Sequence, residues 1–451
     1  MELARALRQP EGKSLEFKRD LSSPTGALRT LVAFANTAGG RLLIGIEDRT
    51  RNVRGVADPL AMEERLANLV SDRILPRLVP EIEILPWRGT QVVAIEIHAS
   101  SIRPHHLVRE GPKRGTYVRV GSTNRRADAD LVSEMRRFVR GEAFDEQPMP
   151  ELDSEAIDFR AASESFSGVR ALRRRDLETL RILTRHQGRR VPTIGGVLLF
   201  GVDRGRHFQD AWIQAGRFRG TDKSDIADQA SIRSALPVAV EEAAAFVQKH
   251  GLHGARIRGL RRQDTWDVPP IALREALINA VVHADYSQRG APIRVSVFDD
   301  RLEVESPGLL PFGLTVDDLW GGVSRLRNRV IGRVFHELGL IEQWGSGIQR
   351  MAAACRDAGL AAPELEEIGM RFRVTLRTAR LGPRSVDERD QAILDALAGS
   401  DGASTRSIAE SIGLTPRATR TRLIRLVERG LVHVIGAGPN DPRRVYVLSE
   451  R

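Results

Sequence analysis

"AFANTAGGRLLIGIED", residues 33 to 48, joins a helical pattern to a buried-strand pattern across a glycine pair. Leu28, Leu31, Val32, Phe34 and Ala35 recur near helical spacing, which predicts an amphipathic helix running into the quoted stretch. Gly39 and Gly40 end it, and "RLLIGIED" then reads as a buried strand finishing on two acidic residues. Just before that helix, "EGKSLEFKRD" (11 to 20) gives a short strand in which Glu11 and Glu16 alternate with Lys13 and Lys18. The chain has 69 Lys and Arg but only five lysines, so two of the five fall within these ten positions. Side chains two apart on a strand share a face, which puts Glu16 and Lys18 side by side. Two readings stand: a site for metal and phosphate, or a polar network that fixes the strand.

Further along, "LANLVSDRILP" predicts a helix closed by Pro76. "EIEILPW" and "QVVAIEIHAS" alternate as neighbouring strands, and "TYVRVGSTNRRA" is a strand entering a basic turn. "ADLVSEMRRFV" reads as a helix closing a first domain at 1–140. The acidic, proline-bearing "GEAFDEQPMPELD" (141–153) reads as a linker. A connecting α/β segment is expected over 154–264, with helix patterns near 174–186 and 230–250 and an apolar strand at "GGVLLFG". A further domain is expected over 265–380, opening on a helix at 270–284, and a last one over 386–451 after the linker "ARLGPRSVDERD".

The net charge of +10 and pI near 10.5 favour a polyanionic partner, because positive potential concentrates phosphates at a surface. One cysteine, Cys355, rules out an intramolecular disulfide and a cysteine-based zinc site. "MELARALRQPEGK" lacks the apolar stretch of a signal peptide and no run of 18 apolar residues follows, so a cytoplasmic protein with no membrane partner is expected.

In the last segment "RDQAILDALA", "STRSIAESIGL" and "TPRATRTRLIRLVERGLV" form three amphipathic helix patterns. Ser404 or Thr405 can cap the second, and Thr415 followed by Pro416 makes a good start for the third. Leu423, Ile424, Leu426 and Val427 are placed on its apolar side, with Arg417, Arg420, Thr421 and Arg425 opposite. Two strands around a turn carrying Arg443 and Arg444 follow. The segment resembles a winged helix-turn-helix, which implies DNA as partner, the third helix in the major groove and the wing on phosphates. Arginine suits both tasks, since its fork matches guanine edges and phosphate oxygens.

"REALINAVVHADY" sets Glu275, Asn279 and His283 at spacings of four, one face of a helix. With "VESPGLLPFG" and "WGSGIQRM" in that order, 265–380 resembles a diverged GHKL-type ATPase domain of RecG-related regulators. The resemblance implies ATP or another nucleotide with Mg2+ held by Asn279. Glu275 would stand where the water-activating base sits, with Gly308, Gly345 and Gly347 approaching the ligand. His283 is expected to pack rather than ligate. The superfamily's adenine-reading Asp is absent: the position reads Ser306-Pro307-Gly308, and neither Asp299 nor Asp300 replaces it. There is no GxxxxGK[ST] loop, so a motor is not expected.

The first segment resembles the AlbA_2 module of bacterial regulators and Schlafen proteins. It does so on Glu11, Glu16, Phe17, Lys18, the quoted stretch with Asn36 and Asp48, "RPHHL" (103–107) and "YVRVGSTNRRA" (117–127). The resemblance implies nucleic-acid contact. In a Schlafen-like nuclease, Glu11, Glu16 and Asp48 would hold Mg2+ or Mn2+ and Lys18 would face the scissile phosphate of RNA or DNA. Arg119, Arg125 and Arg126 would grip the backbone and Tyr117 would stack on a base. The whole is a multidomain α+β chain: an AlbA_2/Schlafen-like domain, a GHKL-like α/β sandwich and a winged helix. The expected function is a nucleotide-responsive DNA-binding transcriptional regulator acting as a homodimer, with a metal-dependent nuclease as the alternative.

Overall fold

The computed structural model describes residues 3–251, 253–258, 261–266, 268–342, 345–378, 388–398, 402–428, 431–435 and 444–448, with 253–258 and 261–266 as backbone alone. Two compact units form: 1–128 together with 383–451, and 129–382.

In the first unit four strands lie in the order Leu15–Lys18, Gly40–Ile44, Thr90–Ile97, Glu81–Trp87. The first pair is parallel, so the chain needs a crossover, and the Pro24–Asn36 helix supplies it. Leu28, Leu31 and Val32 pack with Leu42, Ile44, Val93 and Ile95 on one side of the sheet. Leu3 and Leu7 pack with Phe17, Leu43, Val92 and Ala94 on the other. Burial on both faces is why "LLI" (42–44) reads as an unbroken apolar run. Asn36, fully buried, ties the helix end to the rest: its amide donates to the carbonyls of His105 and Tyr117 and accepts from the His105 N–H. His105 is itself pinned between the Pro76 carbonyl and the Ser100 hydroxyl.

The C-terminal helices Glu388–Ala398, Thr405–Ser411 and Pro416–Glu428 and the strand pair Val432–Ile435 and Val445–Leu448 enclose a core of Ile393, Leu397, Ile408, Leu423, Leu426, Val432 and Tyr446. Ser404 caps the second helix by accepting from the Ser407 N–H. Ile435 leans on the N-terminal core around Leu3 and Leu7.

The second unit differs from the expected division in three ways. The helix Ala129–Arg140 belongs to it rather than to the first domain. Residues 141–153 are not a free linker, because Asp145 is fully buried and accepts the N–H groups of Arg329, Val330 and Ile331. A six-stranded sheet also runs through the expected boundary at 264/265. Its order is Ile226–Ile232, Ile213–Phe218, Ile293–Val297, Arg301–Pro307, Arg371–Arg377, Glu364–Ile368, with only the second and third strands parallel. The helices Ile194–Phe200, Leu236–His250 and Pro270–His283 share one core with it.

"GGVLLFG" is therefore a helix, not a strand: Thr193 caps it through the Gly196 N–H and every residue of Gly195–Phe200 is buried. A wholly buried helix and a buried strand carry the same apolar run, so periodicity alone does not separate them. The 174–186 pattern resolves into a short helix, Asp176–Thr179, and a strand, Leu183–His186, and a strand precedes the helix in 230–250. Among the described residues no helix is long and apolar enough to cross a membrane.

Candidate functional site

The strand Leu15–Lys18 turns Leu15 and Phe17 into the core and leaves Glu16 and Lys18 together on its other face. The Lys18 ammonium sits 2.6 Å from Glu16 Oε1 and 3.3 Å from Asp48 Oδ2, and donates to the Phe17 carbonyl at 3.0 Å. Burial pulls its pKa down, but Glu16 and Asp48 outweigh that and hold it raised. Glu11 accepts the Phe17 N–H at 2.8 Å. Its own pKa is raised, mainly by burial and further by the charges of Glu16 and Asp48, against the Phe17 hydrogen bond and Lys18. The fold thus brings Glu11, Glu16, Lys18 and Asp48 together as the sequence predicts.

The arrangement does not fit a divalent ion. Lys18 fills the space between two of the carboxylates, and among the described residues no group of three or more His, Cys, Asp or Glu side chains is placed to hold a metal.

Arg119 is a correction. It is 1 % exposed, and its guanidinium ion-pairs with Glu16 and donates to the carbonyl of Gly12 (2.9 Å) and to Asn124 Oδ1 (2.9 Å). An arginine enclosed this way cannot grip a phosphate. Tyr117 is corrected likewise: it is buried, its hydroxyl donates to Glu110 Oε2, and Arg29 lies over its ring at 5.2 Å. Arg125 and Arg126, on the ribbon made by Tyr117–Val120 and Thr123–Arg126, are exposed as expected.

On the Pro416–Glu428 helix, Arg417, Arg420, Thr421 and Arg425 are all exposed. Thr419, Leu423 and Leu426 are buried beneath them, and Arg422 pairs with Asp390 at 2.6 Å to hold the helix on its neighbour. Ile424 is 46 % exposed and joins the arginine side, contrary to the expected apolar placement. It stands seven after Arg417 and four after Arg420, two turns and one turn along the same face. Arg444 lies over the Tyr446 ring at 5.4 Å, while Arg443 falls outside the described residues.

In the second unit a cavity of about 850 Å3 is lined by Glu275, Asn279, Gly308, Gly345 and Gly347. This size suits a nucleotide-scale ligand, since ligand pockets span roughly 300–1,000 Å3. Glu275, 6 % exposed, accepts from Arg350 Nη2 at 2.9 Å. A Cβ on Gly347 would stand 2.7 Å from Glu275 Oε2, so glycine there lets the Gly347–Asp357 helix start against the carboxylate. A helix N-terminus favours such a negative group. Asn279, one turn on, is half-buried at the same end.

Gly308 has φ +101° and Gly345 φ +69°, a left-handed region that glycine adopts freely. A Cβ on Gly308 would also meet Arg327 Nη1 and Asp285, and one on Gly345 the Gly322 carbonyl. His283 is pushed down to about 4 by burial and by Arg327, so it is neutral near pH 7.

Among the lining residues that the sequence did not single out are Glu134, Arg137 and Phe138 from the Ala129–Arg140 helix, and Arg327. Arg327 donates to the carbonyls of His283 (2.8 Å) and Leu309 (2.6 Å) and pairs with Glu134 at 2.9 Å. Positions 134, 137 and 138 are one helix face, a signal that was readable in the sequence. What that face covers was not.

Three families match parts of the chain. "Schlafen, AlbA_2" matches residues 11–128. "Putative ATP-dependent DNA helicase recG C-terminal" matches 290–376, so Glu275 and Asn279 precede its range. "Winged helix-turn-helix DNA-binding" matches 386–433. Among solved structures, the DIP2311 protein from Corynebacterium diphtheriae is 21 % identical, with TM-score 0.45, over 97 % of this chain and 92 % of that one. The N-terminal domain of a RecG-related protein from Nitrosomonas europaea is 22 % identical, with TM-score 0.23, over 28 % of this chain and 94 % of that one. No curated protein matches the chain.

Proposed function

From a chain that carries an AlbA_2 domain, a recG-C-terminal-type ATPase-like domain and a winged helix in that order, we propose a transcriptional regulator whose DNA binding responds to a nucleotide. The observation that carries it is the exposed face of Arg417, Arg420, Thr421 and Arg425 on a helix whose opposite side is buried. Arginines repeating at one-turn intervals offer guanidinium forks to base edges and phosphates along a groove. The exposed Arg125 and Arg126 add a second basic surface. Two copies reading paired half-sites is the expected assembly.

The nucleotide belongs in the cavity of the second unit. Arg137 and Arg350 line it, and among the described residues Arg137 Nη2 and Arg350 Nε are buried donors with no hydrogen-bond partner, a state that an anionic, acceptor-rich ligand would relieve. Asn279 would hold a magnesium ion there, which would neutralise phosphate charge. Arg350 keeps Glu275 paired, so binding rather than turnover is what the arrangement supports.

The test is titration of a duplex obtained by in-vitro selection, with and without ATP and magnesium. Arg420→Ala is expected to weaken binding by about 1–3 kcal/mol and relax the preference at one base position. DNA affinity that is identical with and without ATP would remove the nucleotide response from this reading. The nuclease alternative finds no support in carboxylates clasped around Lys18. Purified protein with magnesium or manganese is expected to leave labelled tRNA and duplex DNA intact. Cleavage that disappears in the Glu16→Gln, Asp48→Asn double variant would reverse that conclusion.

A further inference from the structure

The cavity of the second unit has two chemically different ends. One holds the start of the Gly347–Asp357 helix with Glu275, Asn279 and Arg350, a place for phosphates. The other is walled by Leu309, Leu310, Phe312 and Phe138, where Phe138 and Phe312 meet edge-on at 5.5 Å and Arg325 lies over the Phe138 ring at 5.1 Å. Apolar and aromatic walls suit a base. A base in such a place is selected by whichever polar atom meets its edge.

Five carboxylates line the cavity. Glu275 and Glu342 are both engaged by Arg350, at 2.9 and 2.6 Å. Asp285 accepts from the hydroxyl and N–H of Ser287 and from Gln288. Glu142 is 48 % exposed and pairs with Arg140 at 3.9 Å. Glu134 remains, 14 % exposed and positioned by Arg327, whose Nε and Nη2 both reach Oε1, at 3.1 and 2.9 Å. Among the described residues no hydrogen bond reaches Oε2.

Arg327 is held in turn by the carbonyls of His283 and Leu309, and its Nη1 lies against Gly308. The result is a fixed carboxylate with one open oxygen beside the apolar end.

We propose that Glu134, contributed by a helix that none of the three matched family ranges covers, selects the base of the nucleotide by accepting a hydrogen bond from an exocyclic amine, and that the nucleotide is an adenosine phosphate. This rests on the nucleotide reading above. The choice of adenine follows from the single open oxygen. Guanine presents two adjacent N–H donors that call for both oxygens of a carboxylate, and Oε1 is already committed to Arg327. Hypoxanthine would turn its O6 lone pairs towards Oε2, setting acceptor against acceptor.

The test uses the whole chain and two probes, ATP and inosine triphosphate, with dissociation constants from calorimetry. Wild type is expected to bind ATP at least about tenfold more tightly than inosine triphosphate, as a site built to pair a polar edge does. In Glu134→Gln the amide oxygen can keep accepting from Arg327, which leaves an NH2 donor where Oε2 stood. The variant is expected to lose the preference or reverse it, through weaker ATP binding and retained or tighter inosine triphosphate binding. A misfolded variant would not gain the second ligand, so that gain reports the fold as well.

Three outcomes would overturn the proposal: an unchanged ATP preference in Glu134→Gln, a wild type indifferent to the two bases, or GTP bound more tightly than ATP. If ATP binds in any of these cases, the nucleotide reading survives. If no nucleotide binds wild type, that reading fails and this one with it.

Discussion

Arg119→Ala is expected to lower the stability of the unit formed by 1–128 and 383–451 by about 3–5 kcal/mol, the cost of breaking a buried ion pair from one side. The removed guanidinium pairs with Glu16, donates to the Gly12 carbonyl and Asn124, and lies 5.5 Å over the Phe34 ring. Its loss leaves Glu16, 7 % exposed, with Lys18 alone and strands two carbonyl-bearing segments, Gly12 and Leu15, without their donor. Arg125→Ala, on the same ribbon but exposed, is expected to change stability by less than about 0.5 kcal/mol and to weaken nucleic-acid binding instead. Urea denaturation of the two variants and salt-dependent DNA titration separate the roles. A wild-type midpoint for Arg119→Ala would show that the enclosed pair contributes nothing.

Asp145→Ala is expected to be comparably severe in the other unit, by about 3–5 kcal/mol, because three N–H groups, two of them buried, lose their acceptor at once. Those groups, on Arg329, Val330 and Ile331, open the Arg329–Glu337 helix, and the carboxylate that caps them comes from 184 to 186 residues earlier in the chain. Burial pushes Asp145 up to about 6, against the three backbone hydrogen bonds that favour its charged form. In the unfolded chain an aspartate titrates near 3.9. Between those values the folded protein holds the extra proton, so this residue's contribution to stability falls as pH rises from about 4 to about 6 and is level above. Asp145→Asn removes the titration, and denaturation at pH 4.5 and 6.5 should show wild type losing more stability over that interval than the variant. A variant with the wild-type pH slope would assign the slope to other groups.

These two residues also mark how far the sequence could be read. Arg119 was visible as part of an arginine-bearing strand, and its type and position suggested a phosphate contact. Strand alternation does not say that both faces of this ribbon's first strand are covered, and that cover is what turns the same side chain into a core anchor. Asp145 sat in an acidic, proline-bearing stretch with the composition of a linker, and its partners lie nearly two hundred residues away. By contrast, Glu16 and Lys18 are two apart on one strand, and Arg417, Arg420 and Thr421 are within one helical turn. Local geometry fixed those neighbours, and the structure keeps them.

The local patterns are legible in the residues alone: the crossover helix into the buried "RLLI" strand, the basic face of the winged helix, the pairing of Glu16 with Lys18, and Glu275 and Asn279 on one side of a helix. These follow from the two periodicities of a polypeptide, two for a strand and 3.6 for a helix, which act within a few residues. Which of these groups serve the protein's own interior and which face a ligand is set by the three-dimensional packing. It closed Glu16 and Arg119 into a pair, assigned the Ala129–Arg140 helix to the second unit, and set Glu134, Arg137 and Phe138 on the wall of a cavity whose other lining comes largely from residues far along the chain. The physical reason is that burial and partnership depend on which distant surfaces meet, and no period within one element encodes that meeting.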